Sequence, residues 1–117
     1  MQFHEVTFDG AKPVDGYGPG FFRVDGTIIQ SGILLTADKV QSWGGFDDLA
    51  PLVALAGKVD VLFVGTGANI AHAPKDLTDT LQDLGIGVEV MASDTACRTY
   101  NVILAEGRRI ALAALPV

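Results

Sequence analysis

Two short segments carry the residue types most able to do chemistry. The first is Arg98-Thr99-Tyr100-Asn101, followed by Glu106-Gly107-Arg108-Arg109. All its cations are arginine, whose planar fork suits bidentate contact with a carboxylate or phosphate. Arg98 and Asn101 stand three apart and share a helix face, while Tyr100 turns with Ala96 and Ile103 toward a core. Glu106, near the helix end, is opposed by the macrodipole unless a cation offsets it, and Arg98, Arg108 or Arg109 can do so. Two readings follow. One is a hydrogen-bonded network that fixes a helix-to-strand corner. The other is an anion or partner site made of Arg98, Asn101, Glu106, Arg108 and Arg109.

The second segment is Gly65-Thr66-Gly67-Ala68-Asn69-Ile70, which follows an apolar run. A glycine-rich turn after a strand resembles a dinucleotide fingerprint, in which backbone amides approach a pyrophosphate. The match fails at the third glycine position, which is Ile70. The next helix also starts near Pro74, too late for the loop to feed its N-terminus. Lys75 stands outside any Gly-Lys-Ser/Thr frame. The plain reading is a strand-to-helix turn that needs positive φ. The alternative is a small-ligand crevice at the carboxyl edge of a sheet, formed by Gly65, Thr66, Gly67, Asn69 and His72. His72 has the chemistry of a general base. It has no Ser, Cys or second His near it in sequence and reads as a solvent-exposed loop histidine. The other histidine, His4, is too far along the chain to signal a metal site.

Cys97 falls in the first turn of a helix beside Arg98, and both features favour a thiolate. No base or oxyanion donor is recognisable with it, so the simpler reading is a small buried residue. No Gly-x-Ser-x-Gly elbow surrounds Ser31, Ser42 or Ser93. We therefore expect no catalytic residue, no metal and no cofactor, with the balance toward a non-enzyme.

The elements that position these segments come from hydrophobic period and turn residues. Phe3 to Phe8 alternates weakly, as a first strand would. Asp9 to Gly20 is dense in Gly and Pro and reads as a loop. Phe21 to Ser31 reads as a hairpin around Asp25-Gly26. Gly32 to Leu35 continues extended. Thr36 and Asp38 then suit the start of a short helix ending near Trp43. Asp47 or Asp48 suits the cap of a second helical stretch, with Leu49, Leu52, Val53 and Ala56 at helical spacing before Gly57. Val59 to Val64 is almost continuously apolar, as a strand buried on both faces should be. A helix from Pro74 carries Leu77, Leu81 and Leu84 on one face and ends at Gly85. Ile86 to Ala92 is a strand. Ser93 or Asp94 caps a helix whose inner face is Ala96, Tyr100, Ile103 and Leu104. Gly107 ends it, and Arg109 to Leu115 is a last strand of either direction. The second half is thus β-α-β-α-β, with helices on both faces of a sheet, and the first half is rich in hairpins.

A chain of 117 residues supports one domain, taken as 1–117. It is 49% hydrophobic with 14 Gly besides, which excludes disorder. The excess fits buried central strands, a partner surface or a homodimer interface. The longest run without a charged residue, Val61 to Pro74, is interrupted by polar groups and too short for a transmembrane helix. The start, Met1 to Glu5, lacks a secretory pattern, and one Cys precludes an internal disulfide, so the expected address is cytoplasmic. The net charge of −6 argues against nucleic acid as a partner. That charge is uneven. Residues 1–94 hold 5 basic and 13 acidic groups, whereas residues 95–117 hold three Arg against Glu106.

The segment Ala96-Cys97-Arg98-Thr99-Tyr100-Asn101-Val102-Ile103-Leu104-Ala105-Glu106-Gly107-Arg108-Arg109-Ile110-Ala111-Leu112 resembles the closing signature of a small family. Its members are single-domain bacterial and archaeal proteins of unknown function together with mitochondrial assembly factor 3 of respiratory complex I. Gly32-Ile33-Leu34-Leu35, with Trp43 following, the run from Val59 to Gly67, and Gly85 to Met91 sit in the matching order. The resemblance implies a three-layer α/β domain with a mixed central sheet whose last strand is antiparallel to its neighbours. It implies no established enzyme activity and no required cofactor. It further implies a protein partner, in a complex associated with the inner membrane, at which this chain would be peripheral. Cys97 stands where the family pattern has a small residue such as Ala.

Overall fold

After Asp60 the chain alternates its side chains between two cores. Leu62 and Val64 point to one and Phe63 to the other, as the period of two in a strand requires. A computed structural model of the chain describes residues 5–7 and 9–117. In chain order the elements are β1 (Val6–Thr7), β2 (Val14–Gly18), β3 (Phe21–Val24), β4 (Thr27–Ile29), β5 (Gly32–Leu35) and β6 (Lys39–Trp43). There follow α1 (Ala50–Val53), β7 (Val61–Gly65), α2 (Lys75–Asp83), β8 (Gly87–Met91), α3 (Ser93–Ala105) and β9 (Ile110–Ala114).

Six strands form one sheet in the order β1-β6-β5-β9-β7-β8, and β2-β3-β4 form a second. The large sheet is mixed. One core joins its first face to α3 and the small sheet, through Phe22, Val24, Ile33, Leu35, Phe63, Tyr100 and Leu112. The other joins the opposite face to α1 and α2, through Leu34, Trp43, Leu52, Leu62, Leu77 and Leu81. The result is three layers with helices on both faces and hairpins in the N-terminal half.

Strand β9 sits mid-sheet. It is parallel to β7, with Val61 opposite Ile110, and antiparallel to β5, with Ile33 opposite Ala114. The last strand is therefore antiparallel to one neighbour only, not to both as the family resemblance implies. The reason is connectivity: α3 carries the chain back along β7 as a crossover helix, which returns β9 in the same direction.

Two local expectations are corrected. Residues Lys39 to Trp43 are a strand, not a helix. Thr36 donates its hydroxyl to Asp38 Oδ1 at 2.9 Å, and its amide donates to the Lys39 carbonyl at 2.9 Å. The cap-like Thr and Asp thus close a hairpin turn, and cross-strand pairing with β5 outweighs helical spacing. Within the expected loop Asp9 to Gly20, Val14–Gly18 is the strand β2, bulged between Val14 and Gly16 and paired with β3. That pairing is tertiary, and its Gly-rich composition hides it.

Other boundaries move slightly. Strand β1 covers only Val6–Thr7 of the expected Phe3 to Phe8, of which Phe3, His4 and Phe8 lie outside the described residues. The Asp25-Gly26 turn is present, with φ of 49° and 78°. The N-cap of α1 is Leu49 without a side-chain cap. Asp48 instead accepts the Gly44 amide at 2.9 Å, and its carbonyl accepts the Trp43 indole N–H at 3.0 Å.

Tyr100 is fully buried in the α3 core, and its hydroxyl is the one buried side-chain polar atom without a hydrogen-bond partner among the described residues. Burial alone pushes this phenol upward from its ordinary pKa. An unpaired buried hydroxyl is a net penalty. Tyr100→Phe should leave stability unchanged or raise it by about 1 kcal/mol in urea unfolding. A loss of about 1 kcal/mol or more would mean that the hydroxyl is satisfied in solution.

Candidate functional site

The Gly65-Thr66-Gly67 turn is packed and bonded from within. A Cβ on Gly65 would lie 2.6 Å from Ser93 Oγ, 2.8 Å from Ser93 Cα and 3.0 Å from Ala114 Cβ. The start of α3 and strand β9 therefore press on β7 at a distance only glycine permits. Gly67 has φ of 102°, in the region that favours glycine. Its N–H donates to Ser93 Oγ at 2.8 Å, and Ser93 Oγ donates to the Leu115 carbonyl at 2.6 Å. The Ser93 amide returns a bond to the Gly67 carbonyl at 2.9 Å, and the Thr66 amide donates to Met91 at 2.9 Å. Thr66 Oγ1 donates to the Asn69 carbonyl at 2.7 Å and accepts the Ala71 amide at 3.0 Å. The Thr66 and Gly67 amides, which a pyrophosphate would need, are thus engaged by protein groups.

Beyond the turn, Asn69 and His72 are exposed. His72 borders a hollow of about 470 Å³ with Ile70, Ala71, Ala73, Thr78 and Val90. Gly65, Thr66, Gly67 and Asn69 do not line it. The structure brings one of the five crevice residues to a concavity and folds the glycines into the framework.

The arginine segment is divided between two surfaces. Arg98 lies exposed on α3. It pairs with Asp94 one turn earlier at 3.6 Å and donates to the Tyr17 hydroxyl and Thr95 Oγ1, each at 3.3 Å. Asn101 clamps β2 to the helix: its Oδ1 accepts the Val14 amide at 2.8 Å and its Nδ2 donates to the Val14 carbonyl at 3.0 Å. A side-chain amide used in this way substitutes for a neighbouring strand. Glu106 is the exposed C-cap of α3 and makes no ion pair among the described residues. Arg109 reaches the other side of the corner. Its Nη2 donates to Asp60 Oδ1 at 2.9 Å and its Nε to Oδ2 at 3.4 Å, while the Asp60 amide donates to the Arg109 carbonyl at 2.8 Å. Arg108 and Arg109 border a groove of about 640 Å³, floored by residues of the α1 core. That groove includes neither Arg98 nor Gly65, so the two candidate segments share no pocket.

Cys97 is buried against the sheet, and its thiol is pushed up to about 12, first by burial, then by Asp94, with Arg98 opposing. It is protonated at neutral pH and a poor nucleophile. Among the described residues no three His, Cys, Asp or Glu side chains are grouped to hold a metal. Sequence reasoning missed Ser93 as the link between turn, helix and last strand, and it missed Lys39 and Lys58 beside Arg108. Neither carries a local signal, because both depend on which strands become neighbours.

Ser93→Ala leaves the buried Gly67 amide unpaired and should lower stability by about 1–3 kcal/mol. Gly65→Ala forces backbone movement and should cost about 1–3 kcal/mol. Because both changes act on one contact, the double variant should lose less than the sum of the singles in urea unfolding; strict additivity would separate the two residues. For Cys97, a thiol reagent at pH 8 should modify the native chain only as fast as it opens, and should react promptly in denaturant. Prompt native reaction would contradict a buried thiol.

Comparison with known proteins places the chain in a family. The chain is 53% identical over 117 residues to an uncharacterised protein of Rhodobacter capsulatus, covering all of this chain and 94% of that one. It is 31% identical over 113 residues to NADH dehydrogenase [ubiquinone] 1 alpha subcomplex assembly factor 3 of Drosophila melanogaster, covering 88% of this chain. The match takes in only 58% of that assembly factor's length. Among solved structures, an outer membrane protein from Bartonella henselae superposes with a TM-score of 0.84 at 28% identity, covering 92% of this chain and 97% of that one. The family model described as "Protein of unknown function (DUF498/DUF598)" matches residues 14–115. That span takes in both sheets from β2 onward and all three helices, and the chain belongs to the DUF498/DUF598 family.

Proposed function

We propose that this chain is a non-enzymatic binding protein, acting as one folded unit, that assists the assembly or stabilisation of a larger complex. The observation that carries this reading is the similarity to a respiratory complex I assembly factor over 88% of the chain. The engaged Gly65 turn and the buried Cys97 support it, since neither offers a free Thr66 or Gly67 amide or an accessible thiol. No helix among the described residues is long and apolar enough to cross a membrane. We propose that the chain works in the cytoplasm, peripheral to the inner membrane through its partner. The proposed partner contacts are Arg98, Asn101, Glu106, Arg108 and Arg109, which present two surfaces, one at Arg98 on α3 and one at the groove beside Arg108 and Arg109. Asn101 acts there by holding β2, and Arg98, Glu106 and Arg108 supply the exposed charge.

The hollow beside His72 favours a second reading, a small-ligand site next to the Gly65 loop. A ligand that binds only the folded chain must raise its melting temperature. A thermal-shift screen of nucleotides, anions and small acids should give no response that depends on His72. A shift abolished by His72→Ala would favour the second reading. A third, a homodimer, predicts a doubled mass in light scattering at high concentration.

The direct test is cross-linking of the tagged full chain in native membranes. We expect a subunit or assembly intermediate of a multi-subunit membrane complex, with yield reduced by the double change Arg98→Glu and Arg108→Glu. Recovery of no complex component, with unchanged complex levels in a strain lacking the chain, would overturn the proposal.

A further inference from the structure

The groove at the α3–β9 corner collects charge from parts of the chain that are far apart in sequence. Lys39 comes from the start of β6, Lys58 from the turn after α1, and Arg108 and Arg109 from the corner itself. These are half of the eight basic residues, whereas one of the fourteen acidic residues, Asp38, lines the groove. Lys39 is offset by Glu5 at 3.1 Å and Arg109 by Asp60. Lys58 and Arg108 are exposed and have no ion-pair partner among the described residues.

Beneath these cations the floor is apolar. Leu34 from β5, with Leu55 and Val59 from the turn after α1, close it and are 2%, 7% and 7% exposed, and Pro51 and Ala54 form one wall. The groove lies where α1, a single short turn of helix, ends before Gly57 beside β5 and β6. A volume of about 640 Å³ is that of a small-molecule site, which spans roughly 300–1,000 Å³. An apolar floor with convergent cations on one rim matches a ligand that has an apolar body and an anionic end.

We infer that this groove binds an amphiphilic anion: a single apolar chain lying between α1 and β5–β6, with its carboxylate or phosphate held by Arg108 and Lys58. The bidentate fork of Arg108 meets the planar or tetrahedral oxyanion, and Lys58 adds a second point charge. Such a ligand can arrive free in solution or be a lipid drawn out of a bilayer, and the groups recognised, an apolar chain and an anionic end, are the same. The inference goes beyond the assembly proposal while sharing Arg108 with it, and the decanoate titration tests it separately because it contains no protein partner.

The test is a titration of the full chain with decanoate below its micelle concentration, followed by amide chemical shifts. Saturable shifts are expected around Leu34, Lys58 and Arg108, with a dissociation constant on the order of 100 µM. The neutral decanamide and the variant Lys58→Glu/Arg108→Glu should each bind at least about tenfold more weakly. That variant should keep the wild-type melting temperature, since neither cation is ion-paired among the described residues. A second variant, Ala54→Trp, fills the groove from the exposed side of α1 and should abolish the shifts. Sedimentation with phosphatidylglycerol vesicles separates the sources. Decanoate and vesicle binding that are both lost in Ala54→Trp, which leaves the charge unchanged, assign the bilayer; decanoate binding alone assigns a free ligand. Shifts away from the groove, equal binding of decanamide, or binding unchanged by either variant would overturn the inference. So would binding of an acidic Glu/Leu peptide at the groove with no response to decanoate, which would assign the site to a protein segment.

Discussion

The structure depends on where β9 lies. Its five residues, Ile110-Ala111-Leu112-Ala113-Ala114, are all buried, and both long edges of the strand are paired. One edge holds β5 from the N-terminal hairpins and the other holds β7 from the β-α-β half. Nothing else in the large sheet joins those halves by backbone hydrogen bonds. Three alanines among its five residues suit this position. Ala111 and Ala113 face the α1–α2 core, whereas Ala114 faces α3, and its Cβ stands 3.0 Å from where a side chain on Gly65 would begin. Alanine burial contributes little by itself, so the strand works by pairing and by the close packing it permits.

The Gly65 turn follows from that arrangement. The Leu115 amide bonds to the Gly65 carbonyl, and Ser93 Oγ joins Gly67 to the Leu115 carbonyl. Turn, helix start and strand end therefore share one buried hydrogen-bond network. Such a network is rigid when complete, and it leaves neither the Thr66 nor the Gly67 amide free to meet a phosphate. The accessible chemistry lies elsewhere: on the exposed side chains of α3, at the hollow near His72 and in the cationic groove behind Arg108.

The second half was legible because its information is local. Leu77 and Leu81 repeat at helical spacing, the run before Gly65 is apolar, and glycines end both long helices. The first half was less so. Thr36 and Asp38 have the side chains of a helix cap, and only the pairing of Gln41 with Leu34 makes the following residues a strand. Val14 to Gly18 has the composition of a loop, and only Asn101, 87 residues away, and β3 hold it extended. The site followed the same division. The arginines near residue 100 were visible as a group, but their separation onto two faces of the sheet was not. Arg108 meets Lys58 and Lys39 only because β9 enters the sheet beside β5. The direction of β9 was likewise open in the residues themselves, since an apolar strand serves a parallel or an antiparallel ladder equally well.

Native-state hydrogen exchange tests the central claim, that β9 and the Ser93 network hold the two halves and close the glycine turn. The amides of Leu112, Leu115 and Gly67 should exchange only through global unfolding, more slowly than those of β2 to β4, and added phosphate should leave the Gly67 rate unchanged. Fast exchange at Gly67, slowed by phosphate, would contradict the account by showing an open anion cradle where the structure has a closed network.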